Sequence, residues 1–158
     1  VGCVTILYAP FAARAPSLNG KPSPKDYPWP KELAELLEKE HQVIQVGGNG
    51  DVQVAKDARI NLPFNEVSRL IQESDVGIAV DSYLQHHFWY LNRRAIVLFG
   101  ISDPLIFGHP EHMNLLKSRS HLRPKQFDLY YLDQYNHDAF VTPEEVLNVL
   151  SQWKPSKT

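Results

Sequence analysis

The segment Asp81-Ser82-Tyr83-Leu84-Gln85-His86 concentrates more chemistry in fewer residues than any other part of this sequence. It follows an apolar run and opens a stretch of helical period, so unpaired backbone N–H groups and the positive end of a helix dipole would favour an anion such as phosphate there. Ser82 adds a hydroxyl donor, and His86 lies about one helical turn further on the same face. A local explanation is also open: Asp81 and Ser82 cap the helix, Ser82 and Gln85 have capping-box spacing, and His86 is a packed ring. Gly47-Gly48-Asn49-Gly50-Asp51 is a second candidate. Its glycines permit a turn close to a nucleotide and its acid could hold ribose hydroxyls, although a plain glycine turn ending in a solvated acid accounts for it equally. The glycine spacing is not the dinucleotide fingerprint, and Val52-Gln53-Val54 follows where a helix should open, which argues against NAD.

Other chemistries find less support. His86-His87 and His109-Pro110-Glu111-His112 do not predict a metal centre, because adjacent helical side chains diverge by about 100° and the second pair straddles a proline in a loop. The single cysteine, Cys3, leads a strand, and no Gly-x-Ser-x-Gly elbow is present. Phe88-Trp89-Tyr90 reads as core, or in half of a longer protein as a surface facing the missing domain, and Arg93-Arg94 as a cap on the negative end of the helix before it.

The elements that must position these residues alternate between apolar, β-rich runs and helical periods. This is the pattern of βαβ units around a mainly parallel sheet. Strands are expected over Val4–Ala9, Gln42–Val46, Ala58–Leu62, Asp75–Val80 and Ala95–Phe99, with Asp75–Val80 central because it is nearly all apolar. Helices are expected over Lys31–Glu40, Pro63–Glu73 and Tyr83–Asn92. A last one begins at Thr142-Pro143-Glu144-Glu145 and runs to about Trp153. The stretch Pro10–Pro30 carries six of the twelve prolines and scatters Arg14, Lys21 and Lys25 along an irregular loop. Such a long loop in a compact domain is commonly functional, and Lys25 in it is expected to be exposed. Ile101–His112 reads as a loop and Met113–Asp138 as mixed. In an open parallel sheet ligands bind at the carboxyl ends of the strands, which selects Pro10–Pro30, Gly47–Asp51, Asp81–His86 and Gly100–Pro104.

Length and charge bound the rest. With 158 residues the chain holds one well-formed core, and 16 Lys+Arg against 18 Asp+Glu leave no basic footprint for a nucleic acid. One cysteine allows no internal disulfide, and no apolar run approaches the roughly 20 residues a membrane-spanning helix needs. A soluble, cytoplasmic domain is expected. The chain opens directly on an apolar run with no initiator Met, as a piece of a longer two-domain protein would.

In order and wording the candidate loops resemble the C-terminal half of a GT-B glycosyltransferase of the family 9, or heptosyltransferase, type. In that family a strand ends in Asp-Ser/Thr-Gly-x-x-His, a helix follows, and a second strand ends in Phe-Gly-x-Thr/Ser-Asp-Pro. Here Asp81-Ser82-Tyr83-Leu84-Gln85-His86 and Phe99-Gly100-Ile101-Ser102-Asp103-Pro104 match both ends with the same intervening length. Tyr8-Ala9-Pro10 resembles the family's His-Pro-Gly turn, Lys25-Asp26-Tyr27-Pro28 its Lys-x-Trp-Pro, and Gly47–Asp51 its Gly-Gly-x-x-Glu. The likeness covers Val4 to Pro104.

The resemblance implies a single Rossmann-like α/β domain of three layers over residues 1–158, binding a nucleotide-diphospho sugar as substrate with no cofactor and no metal. Asp81, Ser82 and His86 would lie at the sugar-diphosphate end, Lys25 would neutralise the diphosphate, and Asp51 would hold the ribose. Joined to an N-terminal acceptor domain or a partner chain, which would bring the general base, it would act as a hexosyl- or heptosyl-type transferase. The acceptor would be a glycan or lipopolysaccharide-type molecule, at most peripherally membrane-bound. Two departures bear on this. Tyr83 stands where the family has the Gly whose backbone approaches the phosphate, and Asp51 is one methylene shorter than Glu. A stand-alone nucleotide-sugar-binding or interaction module without catalysis is the alternative.

Overall fold

The computed structural model describes residues 2–13, 22–129 and 133–154. The chain order is β1 (Thr5–Ala9), α1 (Pro30–Glu38), β2 (Gln42–Gly47), β3 (Asp57–Ile60), α2 (Phe64–Glu73), β4 (Val76–Val80), α3 (Tyr83–Tyr90), β5 (Ala95–Phe99), α4 (Pro104–Phe107), β6 (Met113–Leu116) and α5 (Pro143–Ser151). The six strands lie in the order β3-β2-β1-β4-β5-β6, and all five pairings are parallel. Every residue of β4 and β5 is buried, as continuous apolar runs covered on both faces require. The strand order reverses between β1 and β4, and the connections leaving the carboxyl ends of those two paired strands run to helices on opposite faces, the place where such sheets leave a crevice.

Alternation along the strands divides the core into two layers. Ile6, Tyr8, Ile78, Ile96 and Leu98 face α1 and α5 through Leu33, Leu37, Val146 and Leu150. Leu7, Ala79, Val97 and Phe99 face α2 and α3 through Val67, Leu70, Ile71 and Phe88. Gly77 sets the closeness of the second layer: a Cβ there would stand 2.6 Å from Phe88 Cζ, so only glycine lets α3 lie this near β4. At α5 the Thr142 hydroxyl accepts from the Glu145 N–H and the Glu145 carboxylate accepts from the Thr142 N–H, the reciprocal cap its sequence predicts.

Several expectations need correction. Ser82 and Gln85 do not form a capping box; the Ser82 side chain makes no cap bond, and the Gln85 amide donates to Asp81 at 2.7 Å. In a capping box Gln85 Oε1 would accept from the Ser82 N–H; here Nε2 donates instead to a buried carboxylate, and a hydrogen bond to an ionised acceptor is the stronger one. The Arg93 backbone N–H donates to the Phe88 carbonyl and closes α3, but its guanidinium donates to the carbonyls of Gln72 and Ser74 at the end of α2, while Arg94 donates to the Glu111 carbonyl and lies over the Trp153 ring. Of Phe88-Trp89-Tyr90 only Phe88 is core; the other two rings are exposed. The third strand is Asp57–Ile60 rather than Ala58–Leu62, ended by Asn61 in the left-handed region at φ 60°. The expected loop Ile101–His112 contains α4, and the mixed region supplies β6. Arg14 and Lys21 of the proline-rich loop lie outside the described residues.

Candidate functional site

The proline-rich loop leaves β1 and is fastened at its far end by Asp26. Its buried carboxylate accepts from the N–H groups of Ala12 (2.8 Å) and Ser23 (3.0 Å), and Tyr27 N donates to the Pro10 carbonyl. The Tyr27 hydroxyl donates to the Val141 carbonyl and that of Tyr135 to the Asp26 carbonyl. These anchors carry Lys25 across to the end of β4. Its Nζ stands 3.3 Å from Asp81 Oδ2, with 20% of the lysine side chain and 7% of the aspartate exposed. Lys25 is therefore an anchored, paired cation, contrary to the exposed loop lysine expected from the sequence. It also lies 5.8 Å from the centre of the Phe107 ring on α4.

Asp81 follows β4 and Ser82 is the N-cap of α3, in extended conformation, and no side chain among the described residues caps the first N–H groups of α3 at this strand end. His86, exposed on α3, meets His109 with Nδ1 and Nε2 2.7 Å apart, and the His109 ring stacks on Trp89. Partial burial first, then His109 and Lys25, lower the His86 pKa, while Asp81 works to raise it. Tyr83 sends its hydroxyl along α3 to His87 Nδ1 at 2.5 Å; His87 Nε2 is 2.7 Å from the Ser68 hydroxyl.

On the β2–β3 side of the switch point lies a cavity of about 280 Å³. Ala12, Val46, Asp51, Arg59, Ser82 and Tyr83 are among its walls, which are mostly apolar. Gly50 at φ 89° makes the turn that brings Asp51 back on itself, where its carboxylate accepts from the Gly48 N–H at 2.9 Å. Arg59 is bound by Asp57 in a two-point ion pair, at 3.1 and 3.0 Å.

The predicted residues thus fall into three adjoining groups. Asp51 and Ser82 line the cavity, the Lys25–Asp81 ion pair lies beside it through the Asp81–Ser82 peptide, and His86 pairs with His109 rather than with either of them while its pKa feels both charges. The fourth loop serves structure: Asp103 caps α4 through Leu105 N and takes Arg119 in a two-point ion pair, which holds its carboxyl below the usual range. Sequence reasoning missed Arg59 and Asn61, and weighed Gln85 only as a cap and His109 only as a metal ligand. Ending β3 at Ile60 would have put Asn61 among the strand-end residues. Among the described residues no group of three or more His, Cys, Asp or Glu side chains converges as metal ligands do, and no helix is long and apolar enough to cross a membrane.

No protein-family model and no curated protein matches the sequence. Solved structures do match the fold. ADP-heptose lipopolysaccharide heptosyltransferase II of E. coli superposes with a TM-score of 0.62 at 20% identity, over 94% of this chain and 45% of that one. A glycosyltransferase family 9 protein of Veillonella parvula gives 0.64 at 14% identity, over 95% and 45%. The dodecameric iron-containing heptosyltransferase TibC, solved with ADP-D-β-D-heptose, gives 0.52 at 14%, over 90% and 36%. The chain spans less than half the length of each of these proteins.

Proposed function

Starting from a chain that carries the Rossmann-like fold of glycosyltransferase family 9 and heptosyltransferase structures, we propose that it binds a nucleotide-diphospho sugar and serves as the donor half of a GT-B transferase. One observation carries the reading: an apolar cavity, a helix N-terminus and an anchored lysine meet at a single switch point. Its volume lies near the lower end of the roughly 300–1,000 Å³ typical of small-molecule sites. The nucleoside would occupy the cavity with Asp51 on its ribose. The diphosphate would lie at the start of α3, where backbone N–H groups, the Ser82 hydroxyl and Lys25 meet it. A lysine ammonium has three N–H donors, so its contact with Asp81 does not itself exclude an anion. His86 would lie toward the sugar.

Transfer would be direct displacement. The acceptor hydroxyl oxygen bonds to the anomeric carbon as the bond to the diphosphate oxygen breaks and its electron pair leaves with the diphosphate. The departing charge would be stabilised by Lys25, Ser82 and the α3 N-terminus without a metal. The acceptor's proton would pass to a carboxylate of an N-terminal acceptor domain or partner chain, and a glycan or lipopolysaccharide-type acceptor in the cytoplasm or at a membrane surface fits this arrangement. Calorimetric titration with ADP-, UDP-, GDP- and CDP-sugars tests the donor site: one of them should bind, and no heat from any at millimolar ligand would sink the reading. The purified chain alone should show no transfer; product above background would refute its being half of an enzyme.

A further inference from the structure

Gln85 is fully buried on the inner face of α3, where a Leu or Met would pack with no polar group to satisfy. Its Nε2 is spent instead on Asp81 and, at 3.4 Å, on the Phe107 carbonyl, while its buried Oε1 has no hydrogen-bond partner among the described residues. Nε2 donates to Asp81 Oδ1 at 2.7 Å, from one helical turn further along, and Asp81 presents its other oxygen, Oδ2, to Lys25 Nζ at 3.3 Å. The Gln85 backbone is pinned as well. His112 Nε2 donates to the Gln85 carbonyl at 2.7 Å while His112 Nδ1 accepts from Ala95 N at 3.1 Å, so the neutral imidazole ties α3 to β5 at this residue. We propose that Gln85 is a positioning residue: it fixes the Asp81 carboxylate so that this carboxylate holds the Lys25 ammonium beside the start of α3.

The chemistry favours an indirect role for Asp81. A carboxylate at a diphosphate site repels the ligand unless its charge is already engaged, and Asp81 has one oxygen on an amide donor and the other against a cation. With Oδ1 fixed by Gln85, the carboxylate plane cannot turn and Oδ2 stays aimed at Lys25. Lys25 otherwise sits on a loop with a flexible four-carbon stem, and ordering such a side chain before ligand arrives lowers the entropy lost on binding. What Lys25 does rests on the donor-binding reading; how it is held does not.

The test uses the full chain with Gln85→Met, Lys25→Met and the double variant, and two readouts. The ammonium 1H–15N spectrum is taken without nucleotide, with Lys25→Met assigning the signal. A slowed, resolved Lys25 signal is expected in the unaltered protein and its loss in Gln85→Met. Calorimetry with ADP, UDP, GDP and CDP then identifies the tightest ligand. Gln85→Met should weaken it about fivefold or more. The double variant should match Lys25→Met within about twofold, because the glutamine acts only through the lysine. Losses that multiply in the double variant, or a Gln85→Met protein that keeps both signal and affinity, overturn the proposal. If no diphosphate binds the unaltered protein, the donor-binding reading fails and the spectrum alone decides: a Lys25 signal that survives Gln85→Met overturns the positioning role. Should Gln85→Met fail to fold, Gln85→Asn keeps an amide but falls a methylene short of Asp81, and the same outcomes apply.

Discussion

Replacing Lys25 by Met removes the ammonium while keeping most of its apolar stem, and the structure says what is left behind. Asp81 is nearly enclosed, with one oxygen on the Gln85 amide and the other facing Lys25 at 3.3 Å. Taking away the cation strands a buried acceptor, which costs about 1–3 kcal/mol. Breaking a fully buried ion pair costs about 3–5 kcal/mol. With 20% of the lysine side chain exposed, water can reach part of the gap, so the lower range applies. In a chain of this length that corresponds to a fall in Tm of about 2–12 °C. Affinity for nucleoside diphosphates should fall about tenfold or more, as removal of a charge-assisted contact does. Urea unfolding gives the stability and calorimetry the affinity. Adding Asp81→Asn to Lys25→Met should restore at least part of the lost stability, because a neutral amide needs no cation. Unchanged stability in Lys25→Met, with no gain from Asp81→Asn, would refute the ion pair as an energetic contact. Lost stability with unchanged diphosphate affinity would keep the pair and remove Lys25 from the donor site.

Chelation with EDTA should leave nucleotide-diphosphate affinity unchanged, and a loss of about tenfold, or 1.4 kcal/mol, would mean that a metal rather than Lys25 meets the phosphates. Thr142→Ala should destabilise the fold by about 1 kcal/mol through loss of the reciprocal cap on α5, measured by urea unfolding; a change indistinguishable from zero would show that the cap is dispensable. Burial lowers the pKa of His112, whose Nδ1 must stay unprotonated to accept from Ala95 N. The folded state therefore binds fewer protons than the unfolded chain. The stability this supplies is full above the ordinary histidine value of about 6.5 and is lost as pH falls through the lowered value. Tm should drop on acidification from pH 7.5 to 5 more steeply than in His112→Gln, and parallel curves would falsify the assignment.

Much of the architecture is local in origin and was legible as such. The buried runs around Val76–Val80 and Ala95–Phe99 are apolar without a break, which only strands covered on both faces tolerate, and Thr142-Pro143-Glu144-Glu145 writes its own helix start. The turn at Gly47–Asp51 and the start of α3 after Ser82 likewise follow from residue types within a few positions of each other. What tertiary structure decided is where each polar side chain finds its partner. Ser82 and Gln85 have the spacing of a cap, yet Gln85 Nε2 donates to Asp81, because the fold buries that carboxylate beside it and a charged acceptor makes the stronger hydrogen bond. Arg93 closes α3 with its backbone N–H, yet its guanidinium goes to the end of α2, since packing brings the carbonyls of Gln72 and Ser74 within reach. Lys25 and Asp81 are 56 positions apart, and no periodicity links them; they meet because parallel βαβ winding brings the ends of β1 and β4 side by side at the switch point. Backbone pattern is set by neighbours in sequence, whereas the pairing of buried charge is set by neighbours in space.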